Sequence, residues 1–112
     1  MRKPTSDELI ILSFLLENAG LEVELGKIWV EPMTDGGMGS LKLYPNRENP
    51  KYEFGHNAAE CWFKDSDGVA ASGALYLNTQ GVPFELDMWK VDFSTLIKWP
   101  KREELTLTSS GT

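Results

Sequence analysis

Val82-Pro83-Phe84-Glu85-Leu86-Asp87-Met88-Trp89-Lys90-Val91-Asp92-Phe93 is the stretch on which the fold turns. Phe84, Leu86 and Met88 alternate with Glu85, Asp87 and Trp89, the period of two expected of a strand with one face in a core and the other in solvent. Farther along, the apolar residues change sides: Val91 and Phe93 are in phase with Trp89, and Lys90 and Asp92 oppose them. Two geometries accommodate the switch. A bulge near Met88 bends the strand and brings Trp89, Val91 and Phe93 to the same core as Phe84 and Leu86. Without it, Trp89 joins Glu85 and Asp87 on the outer face.

Working back along the chain, segments 58–64 and 69–77 show similar strand character, separated by the turn signals Asp65-Ser66-Asp67-Gly68 and Asn78-Thr79-Gln80-Gly81. Such short connections force antiparallel neighbours, so 58–93 reads as a three-strand meander. Cys61 alternates with Ala59 and Phe63 and is expected in the core. Asp35-Gly36-Gly37 carries turn chemistry between Ile28-Trp29-Val30 and the segment 40–44, a hairpin whose first strand Pro32 places at an edge or an end. Leu21, Val23 and Leu25 alternate with Glu22 and Glu24 and suggest a further strand. Residues 45–50 form a polar loop, and 94–98 fit a single helical turn ended by Pro100.

The period changes at the amino-terminal end. Thr5-Ser6-Asp7-Glu8 is a capping box, and Gly20 supplies the left-handed residue that closes many helices, so a helix is expected over 6–19. Leu9, Ile11, Leu12, Leu15, Leu16 and Ala19 make a face broad enough to cover a sheet. Ile10 and Phe14, four apart, form a second ridge, either wrapped by sheet or tail or used for self-association as a homodimer. The fold expected is α+β: one N-terminal helix on a curved antiparallel sheet of about five strands, as a single domain over 1–100. Residues 101–112 have little apolar content and are expected to be a disordered tail.

Composition narrows the partners. A chain of 112 residues with 41% hydrophobic content can bury a core without crosslinks, and its net charge of −6 repels phosphate backbones and anionic membranes. Neither nucleic acid nor membrane is an expected partner. Asp7 and Glu8 interrupt what would otherwise resemble a signal peptide, and the apolar run is too short to span a bilayer. With a lone cysteine, the expected location is cytoplasmic.

No constellation names a reaction, and catalytic residues are unassigned. His56 and Cys61 are too few for a zinc set, so no metal and no cofactor is expected. The glycine-rich Asp35–Ser40 stretch lacks the following helix of a phosphate loop and reads as a tight turn with a bulge. What remains is a binding surface. If β-pleat alternation continues through Met88, then Glu60, Trp62, Tyr76, Glu85, Asp87 and Trp89 share the outer face, an aromatic and acidic patch suited to a basic protein partner. The alternative is a small-molecule or hydrolytic pocket between helix and sheet with Asp87 or Asp92 as acid or base.

Two segments carry a resemblance: Glu31-Pro32-Met33-Thr34-Asp35-Gly36-Gly37-Met38-Gly39-Ser40-Leu41, and Phe84-Glu85-Leu86-Asp87-Met88-Trp89-Lys90-Val91-Asp92-Phe93. Together they resemble a family of short bacterial proteins of unknown function. The resemblance implies no reaction and transfers no site residue. In size and charge alone the chain is also similar to immunity proteins that neutralise basic toxins.

Overall fold

The helix starts where its cap dictates. In the computed structural model, which describes residues 1–107, Glu8 N–H donates to Thr5 Oγ1 at 3.1 Å and Thr5 N–H to Glu8 Oε1 at 2.9 Å. Helix α1 spans Ser6–Ala19, and Gly20, at φ 70°, donates its N–H back to the last turn. Arg2 grips both Glu8 oxygens, at 2.8 and 2.9 Å. Burial works against the Glu8 charge, but the Arg2 and Thr5 hydrogen bonds outweigh it and hold the carboxyl below its ordinary range. Ile11, Leu12, Leu15 and Leu16 are buried against the sheet. Gly73 faces this layer: a Cβ there would stand 3.0 Å from Met88 Sδ and 3.4 Å from Ile11 Cγ2.

Five strands follow, β1 (Trp29–Pro32), β2 (Leu41–Tyr44), β3 (Phe54–Lys64), β4 (Ala70–Asn78) and β5 (Pro83–Lys90). They form one antiparallel sheet in the order β1-β2-β5-β4-β3, so the meander is present and β3 lies on the edge far from β1. Val30, Leu41, Leu43, Cys61, Phe63, Leu75, Leu86 and Met88 fill the space beneath α1.

Four details depart from the sequence reading. Segment 21–25 is not a strand: Leu21, Val23 and Leu25 are half-buried against the core, and the chain closes into a 3-10 turn at Leu25–Lys27. The place it would have taken on the free edge of β1 is held by Arg2, which exchanges backbone bonds of 2.8 and 2.7 Å with Val30. Of the two geometries open to the 82–93 stretch, β5 takes the one without a bulge near Met88. The register runs unbroken from Tyr76↔Glu85 to Ala71↔Lys90, and the slip lies between Tyr76 and Leu77, opposite Pro83 and Phe84. Phe84 consequently packs edge-on against Tyr52, at 5.2 Å between ring centres, instead of in the cluster under α1.

Segment 94–98 forms no helical turn, because its amides find another acceptor: Ile97 and Lys98 donate to the Asp65 carboxylate at 2.8 and 3.0 Å. The disordered tail expected from 101 is also corrected as far as residue 107. Arg102–Glu104 forms a 3-10 turn, Leu105 is buried, and Thr106 exchanges backbone bonds of 2.7 and 2.9 Å with Trp62 on the outer edge of β3. One buried leucine and two ladder bonds order a stretch whose composition argued otherwise. The expectation for 108–112 lies outside the described residues.

Candidate functional site

With β4 and β5 in step from Tyr76↔Glu85 to Ala71↔Lys90, and β3 in step with β4 from Ala59 onward after slips at Phe54/His56 and Asn57/Ala59, the pleat sends alternate residues away from α1, and cross-strand pairing arranges them in rows. Lys42 lies opposite Glu85, Glu85 opposite Tyr76, and Tyr76 opposite Asn57. Asp87, Ala74 and Glu60 make the next row, and Trp89, Ser72 and Trp62 the one after. The six expected binding residues therefore share one face. Small residues on β4 separate the larger ones of β3 and β5, and Ser72 and Ala74 are buried beneath them although they point away from the core.

The aromatic groups touch edge to face: Trp62 and Trp89 at 6.2 Å, Trp89 and Phe93 at 6.2 Å, and Phe54 and Tyr76 at 5.0 Å. Trp89 is 38% exposed and Phe93 70%. Each carboxylate is held by a neutral donor. Tyr52 O–H donates to Glu85 at 2.7 Å, Tyr76 O–H to Asp87 at 3.0 Å, and Trp62 Nε1–H to Glu60 at 3.0 Å. The hydrogen bond to Glu85, with burial, pushes the Tyr52 phenol up to about 12; burial, with the bond to Asp87, does the same to Tyr76. Both phenols stay protonated and keep donating at neutral pH. Among the described residues no cation forms an ion pair with Glu60, Glu85 or Asp87. Lys42 Nζ lies over the Tyr52 ring, 5.2 Å from its centre.

Tyr52, Phe54 and Phe93 belong to this face and were absent from the expected set. β3 opens at Phe54, four residues earlier than the strand read from Ala58, and the alternation of Tyr52 and Phe54 with Glu53 and Gly55 was the available signal. Phe93 turns back on Trp89 because its own backbone is left-handed, at φ 62°, which no residue pattern announces.

The catalytic alternative is not brought together. Asp87 is on the face opposite α1, and Asp92 is exposed beyond the end of β5, accepting from Ser94 N–H and Oγ–H at 3.0 and 2.6 Å. Ile11, Leu12, Leu15, Leu75 and Leu86, all fully buried, fill the helix–sheet interface where that pocket was expected. Cys61 is likewise fully buried, and its thiol is pushed up to about 11, chiefly by burial. Ile10 and Phe14 are half-buried, and the Arg102 guanidinium lies over the Phe14 ring, 5.4 Å from its centre.

A second polar cluster follows from the same register. Lys90 is the next inward residue after Leu86 and Met88, and its side chain is 1% exposed. Nζ reaches Asp65 at 2.8 Å, Asp67 at 2.7 Å and the Thr95 carbonyl at 3.3 Å. Burial opposes the Lys90 charge, yet the two carboxylates prevail and its pKa is raised. Burial also opposes the charge of Asp65, but the Ile97 amide, Lys90 and the Ser66 and Lys98 amides together hold it at about 2.

Residues 1–100 match the model of a protein family described as a domain of unknown function, DUF6984. The chain belongs to this family. No curated protein and no solved structure matches it. The stretch shared with DUF6984 takes in α1, all five strands and the whole outer face, whereas the Thr106 bridge on the β3 edge lies beyond it. No helix among the described residues is long and apolar enough to cross a membrane.

Proposed function

We propose that this domain is a non-enzymatic binding module whose outer sheet face recognises a protein partner through a cationic surface on that partner. The observation that carries the reading is the pairing of exposed indole and phenyl rings with three carboxylates whose bound donors are all neutral. Rings that are already packed against one another lose little conformational freedom on binding, and the unneutralised carboxylates steer a basic surface toward them. Tyr52 and Tyr76 fix two of those carboxylates in place, so the geometry exists before the partner arrives. The same reading takes the chain as a bacterial, cytoplasmic protein of immunity-protein-like character. In support stand the two segments that prompted the resemblance, the acidic balance, and a thiol that is buried and unpaired.

The test is titration of the isotopically labelled chain with a panel of basic proteins at low and high salt, observed at the assigned indole N–H groups of Trp62 and Trp89. Binding is expected to weaken as salt rises and to fall about tenfold in Trp89→Ala, the loss of a central ring contact. Binding indifferent to salt, or unchanged in a Glu60→Gln, Glu85→Gln, Asp87→Asn triple variant, would count against the proposal.

A further inference from the structure

Away from the acidic face, three segments distant in sequence converge at the start of β1. The N-terminal strip brings Lys3, the 3-10 turn brings Gly26 and Lys27, and the turn after β2 brings Asn46 and Arg47; Trp29 lies among them in a concavity of about 350 Å³. The Arg47 guanidinium stands 4.2 Å from the Trp29 ring centre and Lys3 Nζ 5.1 Å from it. Lys3 Nζ also donates to the Gly26 carbonyl, which fixes the ammonium at the rim. Lys27 pairs with Glu24 at 3.4 Å, with both side chains largely in solvent. The lining thus holds three cations and no carboxylate, on a chain whose net charge is −6.

The backbone that supplies Arg47 is unusual. Asn46 and Arg47 lie consecutively in the left-handed region, at φ 55° and 62°. Asparagine visits this region readily and arginine does not, so the conformation persists because the surrounding structure holds it. Its effect is to fold Arg47 back over Trp29 instead of letting it extend into water.

We propose that this concavity is an anion site for a small phosphorylated molecule, whose phosphate oxygens are taken by Arg47 and by the ammonium groups of Lys3 and Lys27. A guanidinium offers paired N–H donors that match phosphate oxygens, and two flanking ammonium groups suit more than one negative charge. The volume is at the small end for ligand sites. Glu24, Glu31 and Glu48 lie close by in the sequence and disfavour a long polyanion such as a nucleic acid. This inference is independent of the proposed protein-binding face.

The probe is inorganic pyrophosphate, titrated into the full labelled chain with ionic strength held constant by chloride. Saturable shifts are expected at the Trp29 indole N–H and the Arg47 Nε–H, with a Kd below about 1 mM. Arg47→Gly suits the left-handed backbone while deleting the guanidinium, and it should weaken binding about tenfold or more. Lys27→Gln, at a largely solvated position, should also weaken it and keeps the test decisive if the glycine variant folds poorly. Lys101→Gln should bind as the parent does. Shifts that fail to saturate, that chloride reproduces, or that persist unchanged in Arg47→Gly and Lys27→Gln would overturn the assignment.

Discussion

Asp65 shows how one side chain can organise a region that its neighbours leave unspecified. Its two oxygens accept from Ser66, Ile97 and Lys98 amides and from Lys90, so the β3–β4 turn, the end of β5 and the 94–98 segment are tied at one point. Removing the carboxylate leaves an ammonium buried with only part of its pairing. Asp65→Ala should therefore cost about 3 kcal/mol, toward the low end for a broken buried pair because Asp67 still holds Lys90; chemical denaturation measures it. The pH dependence has a definite sign. A folded value of about 2, below the carboxyl's ordinary 3.8, contributes stability that is fully present above pH 4 and is lost as pH falls toward 2. The raised Lys90 acts at the other end, contributing below its ordinary 10.5 and losing that contribution as pH rises through the higher folded value. Thermal melts across pH should show a plateau with an acid shoulder, and Asp65→Asn should flatten that shoulder. Cys61 gives a second residue-scale check: a buried thiol at about 11 should resist thiol reagents in the native state and react promptly once the chain is unfolded. The burial of Cys61 was legible in its alternation with Phe63, whereas the inward position of Lys90 was not, since a charged residue in phase with Leu86 and Met88 carries no sign that two aspartates await it.

Elements were readable where their signals are local. The capping box and Gly20 fixed both ends of α1, and period-two alternation with short polar turns revealed the meander. Elements defined by distant partners were not. Segment 21–25 alternates like a strand but finds the β1 edge occupied by Arg2, and the C-terminal strip has strand-like pairing only because Trp62 offers free backbone groups. These two bridges have the same consequence, since each covers part of a sheet edge that would otherwise invite another chain. Thr106→Pro removes the N–H that donates to Trp62 and should cost about 1 kcal/mol, with faster hydrogen exchange at the Trp62 amide and unchanged exchange in β5. Uniform loss of protection across the sheet would instead mean that the strip is integral to the whole fold. The helix ridge belongs to this scale too. With Arg102 over Phe14, Ile10→Glu should leave the sedimentation mass unchanged; a reduced mass would show that the ridge holds copies together.

Across the whole molecule, charge is divided between two places. Glu60, Glu85 and Asp87 lie on β3 and β5, while Lys3, Lys27 and Arg47 gather around Trp29 at the β1 border. Strands spaced about 4.8 Å apart put β1 roughly 10 Å from β5 and roughly 19 Å from β3, both beyond the ~8 Å over which exposed charges act at physiological salt. The two regions should accordingly work separately. Saturating pyrophosphate should change affinity for a basic protein less than about twofold, measured by calorimetry in both orders of addition; a larger and reciprocal change would show coupling between them. The division was invisible in sequence, because it depends on β2 running beside β5 and sending the chain on to the opposite border.

The Thr106 bridge also bears on synthesis. A chain made from its amino terminus delivers β3, β4 and β5 ahead of the strip that covers β3. Until about residue 106 leaves the ribosome, the β3 border stays raw and the place that Leu105 fills in the core stays open. That interval is when a chaperone or a sister polypeptide can reach β3, and its end is marked by the arrival of a few late residues and not by the formation of any strand.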